Sequence, residues 1–142
     1  MLPVSARPRV LILCTANSAR SQMAEGLLRA DHGERFEVRS AGTRATLVRP
    51  EAIAVLAEIG IDISGHRSKT VDEFAGETFD YVLTVCDNAR EACPVYSGHG
   101  RRVHYAFDDP AAETGDEAAR LNAFRRVRDE IRAYLRSFPP GV

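Results

Sequence analysis

The sequence lacks several features that would assign it to a common class of proteins. Its 142 residues carry a formal net charge of −1, so the basic excess that is usual for a nucleic-acid-binding protein is missing. It has no run of roughly 20 apolar residues, which a transmembrane helix requires. Residues 1–9 do not have the pattern of a secretory signal. These absences predict a cytoplasmic protein without a nucleic-acid or membrane partner.

Signatures of metals and nucleotide cofactors are also missing. The chain has no Cys-x2-Cys pair, and His66, His99 and His104 do not have the spacing of metal ligands. It has no glycine-rich dinucleotide-binding motif. We therefore expect no metal site and no bound cofactor.

The chain has only three cysteines, Cys14, Cys86 and Cys93. An odd number of cysteines without an export signal argues against a structural disulfide framework. The thiols are therefore either buried core residues or reactive groups, and their positions must decide between these interpretations.

Apolar patterns predict an α/β fold. Continuous or alternating apolar runs predict strands at residues 10–13, 36–40, 79–85 and 102–105. Helical spacing of apolar residues predicts helices over residues 21–32, 50–59 and 121–138, with a further helical turn near residues 71–75. The length fits a single domain, 1–142, and the alternation predicts a three-layer fold with a four-stranded parallel sheet flanked by helices. Ligands bind at the carboxyl ends of such strands, where Cys14 and Cys86 both fall.

The segment between the first strand and the first helix has the features of an anion-binding loop. A short loop there can turn backbone N–H groups inward, and the helix start adds the positive end of its dipole. Arg20 adds a planar, permanently charged group that can bind two oxygens at once. These charges favour the thiolate of Cys14, the nucleophilic form. The predicted substrate-binding residues are Thr15, Ala16, Asn17, Ser18, Ala19, Arg20 and Ser21.

Two of these residues have further predicted roles. Ser21, expected at the helix cap, can donate a hydrogen bond to the thiolate, and Asn17 is expected to bond within the loop and fix its shape. The alternative is that Cys14 is a buried strand-end cysteine and Arg20 a surface residue. The setting of the pair between a strand and a helix favours the functional interpretation.

Residues 14–26 and 40–42 resemble the low-molecular-weight tyrosine phosphatase scaffold. Residues 84–88, 93–94, 107–110 and 124–131 are similar, within that scaffold, to the thioredoxin-coupled arsenate reductases. The resemblance extends over residues 10–135. It implies an arsenate reductase with a low-molecular-weight phosphatase-like fold, arsenate as the substrate and thioredoxin as the electron donor. We expect the protein to be a monomer.

The resemblance also implies a relay of three thiols. Cys14 attacks arsenate, Cys86 attacks Cys14 and releases arsenite, and Cys93 attacks Cys86. The Cys14–Cys86 disulfide is thereby exchanged for a Cys86–Cys93 disulfide, which thioredoxin reduces. An ordered helix of about seven residues would hold Cys86 and Cys93 near 10 Å apart, beyond the ~7 Å limit for a disulfide. We therefore predict a mobile segment over residues 87–100. The alternative is that these two cysteines are unrelated and half-buried.

The resemblance assigns the general acid to Asp109, directly before Pro110. Asp108 is the alternative, and aspartate before proline is also common in plain turns. Ala111 and Ala112 follow, where a phosphatase of this scaffold would carry a tyrosine.

Two other functions stay open from the sequence. The protein can be a low-molecular-weight protein tyrosine phosphatase that uses Cys14, Arg20 and Asp109 alone, or a reductase recycled by a low-molecular-weight thiol. Cys86 and Cys93 favour the thioredoxin-coupled reductase, because a phosphatase needs neither. A weak phosphatase side activity is compatible with the shared loop.

Relatives that bind potassium near this loop use an asparagine, a glutamate and a serine, matched here by Asn17, Glu25 and Ser40. They carry an aspartate where this chain has Lys69, and a small hydroxyl residue where it has Arg67. An ammonium group repels a potassium ion and can take its place beside Glu25. We therefore predict no potassium requirement.

Overall fold

A computed structural model describes residues 6–87 and 93–140. Strands and helices alternate along these residues as far as the third strand, as the sequence predicts. The strands are β1 (Arg9–Cys14), β2 (Glu37–Gly42), β3 (Tyr81–Thr84) and β4 (Arg101–His104), and the helices are α1 (Arg20–His32), α2 (Pro50–Ala57) and α3 (Glu117–Leu135). Short 3-10 turns cover Val71–Phe74 and Pro110–Ala112. None of the helices in the described residues is long and apolar enough to cross a membrane.

The four strands form one parallel sheet in the order β2-β1-β3-β4. β1 is a central strand, with Leu11 opposite Arg39 on one side and Val82 on the other. This explains why its sequence is continuously apolar, since both faces of a central parallel strand are buried. The predicted α/β fold with a four-stranded parallel sheet is confirmed.

Alternate residues of β1 enter two different cores. Val10 and Ile12 pack in the larger core, which contains apolar side chains of all three α-helices, such as Leu27, Leu56 and Phe124. Leu11 and Leu13 point to the opposite face, because successive strand side chains alternate. There they pack in a second core with Phe74, Phe79 and Tyr96. The sheet is therefore the middle layer, with the helices on one side and the Val71–Phe74 turn with its aromatic neighbours on the other.

Several predicted element boundaries were wrong by a few residues. α1 begins at Arg20, so Ser21 lies inside the helix instead of at its cap, which is Ala19. α3 begins at Glu117, before the predicted residue 121, because the Asp116 carboxylate accepts a hydrogen bond from the Ala119 N–H (2.9 Å) and caps the helix there.

Two of the cysteines lie at the carboxyl edge of the sheet. β1 ends at Cys14, and Cys86 lies two residues after the end of β3. The Val85 N–H donates to the Leu13 carbonyl (2.9 Å), so the residues that precede the two cysteines are hydrogen-bonded to each other. Cys14 and Cys86 are both buried in the larger core.

Candidate active site

The loop between β1 and α1 is held from the outside by the segment that follows β2. The Thr15 carbonyl accepts hydrogen bonds from the N–H groups of Thr43 (2.8 Å) and Arg44 (3.3 Å), and the Ser18 carbonyl accepts one from Arg49 (2.9 Å). In a trans peptide the carbonyl and the next N–H point in opposite directions. The N–H groups that follow Thr15 and Ser18 are therefore directed toward the inside of the loop.

Gly42 allows the loop to lie close against the end of β2. A Cβ atom at this position would lie 2.7 Å from the Thr15 carbonyl oxygen and 2.8 Å from the Asn17 nitrogen, and both are backbone atoms that cannot move away cheaply. Glycine is therefore required where β2 ends beneath the loop.

Asn17 lies at the centre of the loop and has a left-handed backbone conformation (φ 48°). Its side-chain amide, which is fully buried, donates to the Ser21 hydroxyl (2.7 Å) and the Ser40 hydroxyl (3.0 Å). Its carbonyl oxygen accepts from the Gln22 amide (2.9 Å) and the Lys69 N–H (2.9 Å). Because asparagine tolerates this conformation better than most residues, these four bonds fix the curve of the loop at modest cost.

Cys14 and Ser21 are in direct contact inside the loop. The Cys14 Sγ atom lies 2.8 Å from the Ser21 Oγ atom, and the cysteine is only 2% exposed. Because Asn17 already donates to Ser21 Oγ, the serine hydroxyl hydrogen is available for the sulfur. Ser21 can therefore donate a hydrogen bond to the Cys14 sulfur.

Arg20 and Asp109 lie at the same cavity as Cys14. Arg20 is buried, donates to the Phe107 carbonyl (3.2 Å) and lies 3.9 Å from the Asp109 carboxylate. The cavity encloses about 230 Å³ and is lined by Cys14, Thr15, Ala16, Ser18, Ala19, Arg20, Arg44 and Asp109. The lining contains most of the predicted substrate-binding residues, whereas Asn17 and Ser21 support the loop from behind it.

Asp108, the alternative general acid, points elsewhere. Its carboxylate pairs with Arg126 of α3 (3.3 Å) and lines a different cavity. The Asp109 carboxylate instead accepts from the Ala111 N–H (3.0 Å) and begins the Pro110–Ala112 turn. This contact holds the Asp109 side chain at the mouth of the cavity.

Cys86 and Cys93 are joined by a disulfide, with their Cα atoms 5.9 Å apart. Cys86 is completely buried, and Cys93 is half-buried. Cys14 is free in the same structure. Residues 88–92 lie outside the described residues, so the mobility of residues 87–100 stays a prediction.

The residues matched to a potassium site are hydrogen-bonded to one another. Asn17 donates to Ser40, and Ser40 donates to the buried carboxylate of Glu25. Lys69 is only 9% exposed, and its ammonium group donates to the Arg67 carbonyl (2.8 Å). Burial lowers the pKa of Lys69, and the nearby Glu25 carboxylate acts in the opposite direction. No cluster of three or more His, Cys, Asp and Glu side chains that could hold a metal ion occurs in residues 6–87 and 93–140.

Replacing sodium with potassium at constant ionic strength is expected to leave turnover unchanged within about twofold, because the Arg29 guanidinium already pairs with the Glu25 carboxylate (2.6 Å) and the ammonium group of Lys69 adds positive charge nearby. Steady-state rates in the two chloride salts measure this. Lys69→Asp introduces the aspartate that the resemblance predicts at this position and serves as the comparison. A strong activation of the unaltered protein by potassium would contradict the prediction.

No sequence pattern indicates the contact of Gln22 with His66, because the two residues lie 44 positions apart. His66 Nδ1 lies 3.0 Å from the Gln22 side-chain oxygen, and Nε2 lies 3.2 Å from an Arg29 guanidinium nitrogen. Since the oxygen accepts and the guanidinium donates, a neutral imidazole with its proton on Nδ1 suits both partners. Burial lowers the pKa of His66, and the charges of Arg29 and Lys69 act in the same direction, against Glu25.

This environment predicts a loss of stability in mild acid. Below about pH 6.5, the usual pKa of histidine, the unfolded chain binds a proton that folded His66 resists. The free energy of unfolding therefore decreases as the pH is lowered. His66→Gln should reduce that fall. Urea unfolding of both proteins at about pH 7.5 and about pH 5.5 measures the difference. An equal fall in the two proteins would assign the acid sensitivity to other groups.

Comparisons with known proteins identify the family. Residues 9–139 match the low molecular weight phosphotyrosine protein phosphatase family. The chain belongs to this family. An arsenate reductase of Halalkalibacterium halodurans is 43% identical over 129 residues, which are 91% of this chain and 93% of the relative.

Two solved structures of arsenate reductases are also similar to the chain. One, in the phosphate-binding state, has a TM-score of 0.74 and 30% identity, and the match covers 91% of this chain and 94% of that one. A thioredoxin-dependent arsenate reductase of Corynebacterium glutamicum has a TM-score of 0.66 and 29% identity. That match covers 95% of this chain and 63% of the other.

Proposed function

We propose that this member of the family is a thioredoxin-coupled arsenate reductase. The observation that carries the proposal is a free, buried Cys14 in a cavity that Arg20 and Asp109 also line, together with a Cys86–Cys93 disulfide that begins at the same sheet edge. The first feature suits an attack on a tetrahedral oxyanion, and the second suits the storage of two oxidising equivalents. The names of the similar proteins support this assignment.

In the first step the loop binds arsenate through its inward N–H groups, the start of α1 and the Arg20 guanidinium. The Cys14 thiolate, stabilised by Ser21, attacks arsenic. A sulfur–arsenic bond forms and an arsenic–oxygen bond breaks, and Asp109 protonates the departing oxygen so that it leaves as water. Arsenic is still pentavalent in this adduct.

The second step reduces arsenic. The Cys86 thiolate attacks the Cys14 sulfur, the sulfur–arsenic bond breaks, and its electron pair stays on arsenic. Arsenite leaves with arsenic in the trivalent state, and the two thiols become a Cys14–Cys86 disulfide. Two electrons have moved from the thiols to arsenic, so the step is balanced.

The third step regenerates the nucleophile. The Cys93 thiolate attacks Cys86, releases Cys14 as a thiolate and forms the Cys86–Cys93 disulfide. Thioredoxin then reduces this disulfide, in keeping with the thioredoxin-dependent relative. We place the reaction in the cytoplasm, where such thiols are kept reduced, and assign it to a monomer without a bound cofactor.

The alternative function is phosphotyrosine hydrolysis, which the family match favours. Cys14, Arg20 and Asp109 would be sufficient for it. The Cys86–Cys93 disulfide has no role in that reaction, and Ala111 and Ala112 offer no aromatic surface for a phosphotyrosine ring. We therefore expect phosphatase activity only as a weak side reaction.

Arsenate-dependent oxidation of NADPH, coupled through thioredoxin and thioredoxin reductase, tests the proposal. We expect turnover only when arsenate, thioredoxin and the protein are all present. If a small thiol supported turnover as well as thioredoxin does, the assignment as an arsenate reductase would stand. The electron donor would then be the small thiol. No arsenate-dependent oxidation, combined with rapid hydrolysis of p-nitrophenyl phosphate, would replace the proposal with the phosphatase alternative.

A further inference from the structure

The candidate cavity has a second arginine in its lining. Arg20 lies in the buried part, and Arg44 lies exposed on the segment that follows β2. No motif in the sequence indicates Arg44 as a functional residue. The structure brings it to the cavity because its own N–H and that of Thr43 both donate to the Thr15 carbonyl.

These bonds fix the starting point of the Arg44 side chain relative to the loop. Thr46 strengthens the attachment, since its N–H donates to Ser68 Oγ (2.9 Å) and that hydroxyl donates to the Ala16 carbonyl (3.0 Å). The Arg44 backbone is therefore tied to the loop on both sides, and its side chain extends from this point to the cavity lining.

Arg44 also differs from neighbouring arginines in how its guanidinium is placed relative to carboxylates. Arg20 lies near Asp109, Arg49 pairs with Glu51, and Arg67 pairs with Glu73. In the part of the chain that the structure describes, the Arg44 guanidinium has no carboxylate within 4.0 Å. Its positive charge is therefore available to a ligand in the cavity.

We infer that Arg44 is a substrate-binding residue that makes the site prefer free tetrahedral dianions over phosphate monoesters. This inference rests on the proposed function. When Cys14 attacks, the departing oxygen must point away from the sulfur, toward the cavity mouth. In arsenate or inorganic phosphate that position holds a charged or hydrogen-bonding oxygen, which Arg44 can bind beside Asp109. In a monoester it holds an organic group, which gains nothing from a guanidinium.

Arg44→Ala is expected to raise the KM for arsenate roughly three- to tenfold, the effect of one exposed charge-assisted hydrogen bond, with little change in kcat. The kcat/KM for p-nitrophenyl phosphate should stay the same or rise. Arg44→Lys should recover part of the arsenate affinity, because lysine keeps the positive charge but cannot bind two oxygens at once as a guanidinium does. The difference between Arg44→Ala and the unaltered protein should shrink in high sodium chloride, because salt screens an exposed charge.

A second measurement does not depend on arsenate reduction. In the disulfide form Cys14 is the free cysteine, so its alkylation by iodoacetamide reports on the loop directly. Inorganic phosphate should protect Cys14, and Arg44→Ala should need roughly three to ten times more phosphate for half protection. This result would support the inference even if the protein did not reduce arsenate.

Arg136→Ala is the matched control. This substitution also removes one arginine charge, but two residues before Phe138. The Phe138 ring packs on Phe36 and Tyr81 at the starting ends of β2 and β3, the opposite end of the sheet from the cavity. Thermal unfolding checks that each variant is folded. The inference is overturned if Arg44→Ala leaves arsenate KM and phosphate protection unchanged, if Arg136→Ala shifts them equally, or if the monoester reaction weakens as much as the arsenate reaction.

Discussion

Cys93→Ser is expected to reduce one arsenate per enzyme molecule and then to stop when thioredoxin is the electron donor. Cys14 and Cys86 remain, so the variant can form the arsenic adduct and release arsenite. The product is a Cys14–Cys86 disulfide between two side chains that are at most 2% exposed in the structure. Thioredoxin must bring its own thiolate to a disulfide sulfur, and a buried pair denies that access.

In the proposed relay, Cys93 would give thioredoxin access to the oxidised pair. It is half-buried where Cys86 is fully buried, and its Cα atom lies 5.9 Å from that of Cys86, within the range that a disulfide spans. Exchange with Cys93 therefore moves one sulfur of the oxidised pair nearer to solvent. The proposed relay therefore combines two buried thiols, which reduce arsenic, with a third thiol that would transfer the disulfide toward the surface.

Rapid mixing with arsenate, followed by quantification of arsenite, distinguishes a single turnover from a steady state. Cys86→Ser provides the matched control, because without Cys86 no thiol attacks the adduct and even the single turnover should be lost. Dithiothreitol, which is small enough to enter, should partly restore cycling of Cys93→Ser. Full thioredoxin-coupled turnover by Cys93→Ser would exclude the relay.

The sequence predicts the fold well because β1 and α3 have strong and simple patterns. β1 is apolar on both faces, and the buried apolar residues of α3, which are Phe124, Val127, Ile131 and Leu135, lie at helical spacing. The predicted boundaries of helices were less accurate where a single polar contact determines the end of the helix. The start of α3 depends on Asp116 and not on apolar spacing, and the helix therefore begins earlier than its apolar stripe.

The candidate site was predictable only where it is local. Cys14 and Arg20 belong to one loop, so their relation follows from spacing between a strand and a helix. Asp109, Arg44 and His66 come to the site and its supporting residues from distant parts of the chain. The spacing of apolar residues along the sequence does not indicate such long-range contacts. The resemblance indicated Asp109, whereas Arg44 came only from the cavity lining and His66 from its hydrogen bond to Gln22.

Asp109→Asn is expected to slow formation of the arsenic adduct by about 10²-fold or more, the usual contribution of a general acid. The amide cannot give up a proton to the departing oxygen, which must then leave with its negative charge. The substitution is nearly isosteric, and the amide oxygen can still accept from the Ala111 N–H, so the turn at residues 110–112 should persist. A large loss of rate would thus reflect chemistry and not a collapsed loop.

Asp108→Asn removes the same charge one residue away and isolates the effect of position. Its carboxylate faces Arg126, which keeps Glu130 as a partner (3.1 Å), so this variant should retain its rate within about twofold. Single-turnover rates of the two variants and of the unaltered protein measure this difference. The opposite pattern would transfer the role to Asp108. Equal rates in all three proteins would mean that the oxygen leaves without a protein acid, since Asp109 is the carboxylate that shares a cavity with Cys14 in the described residues.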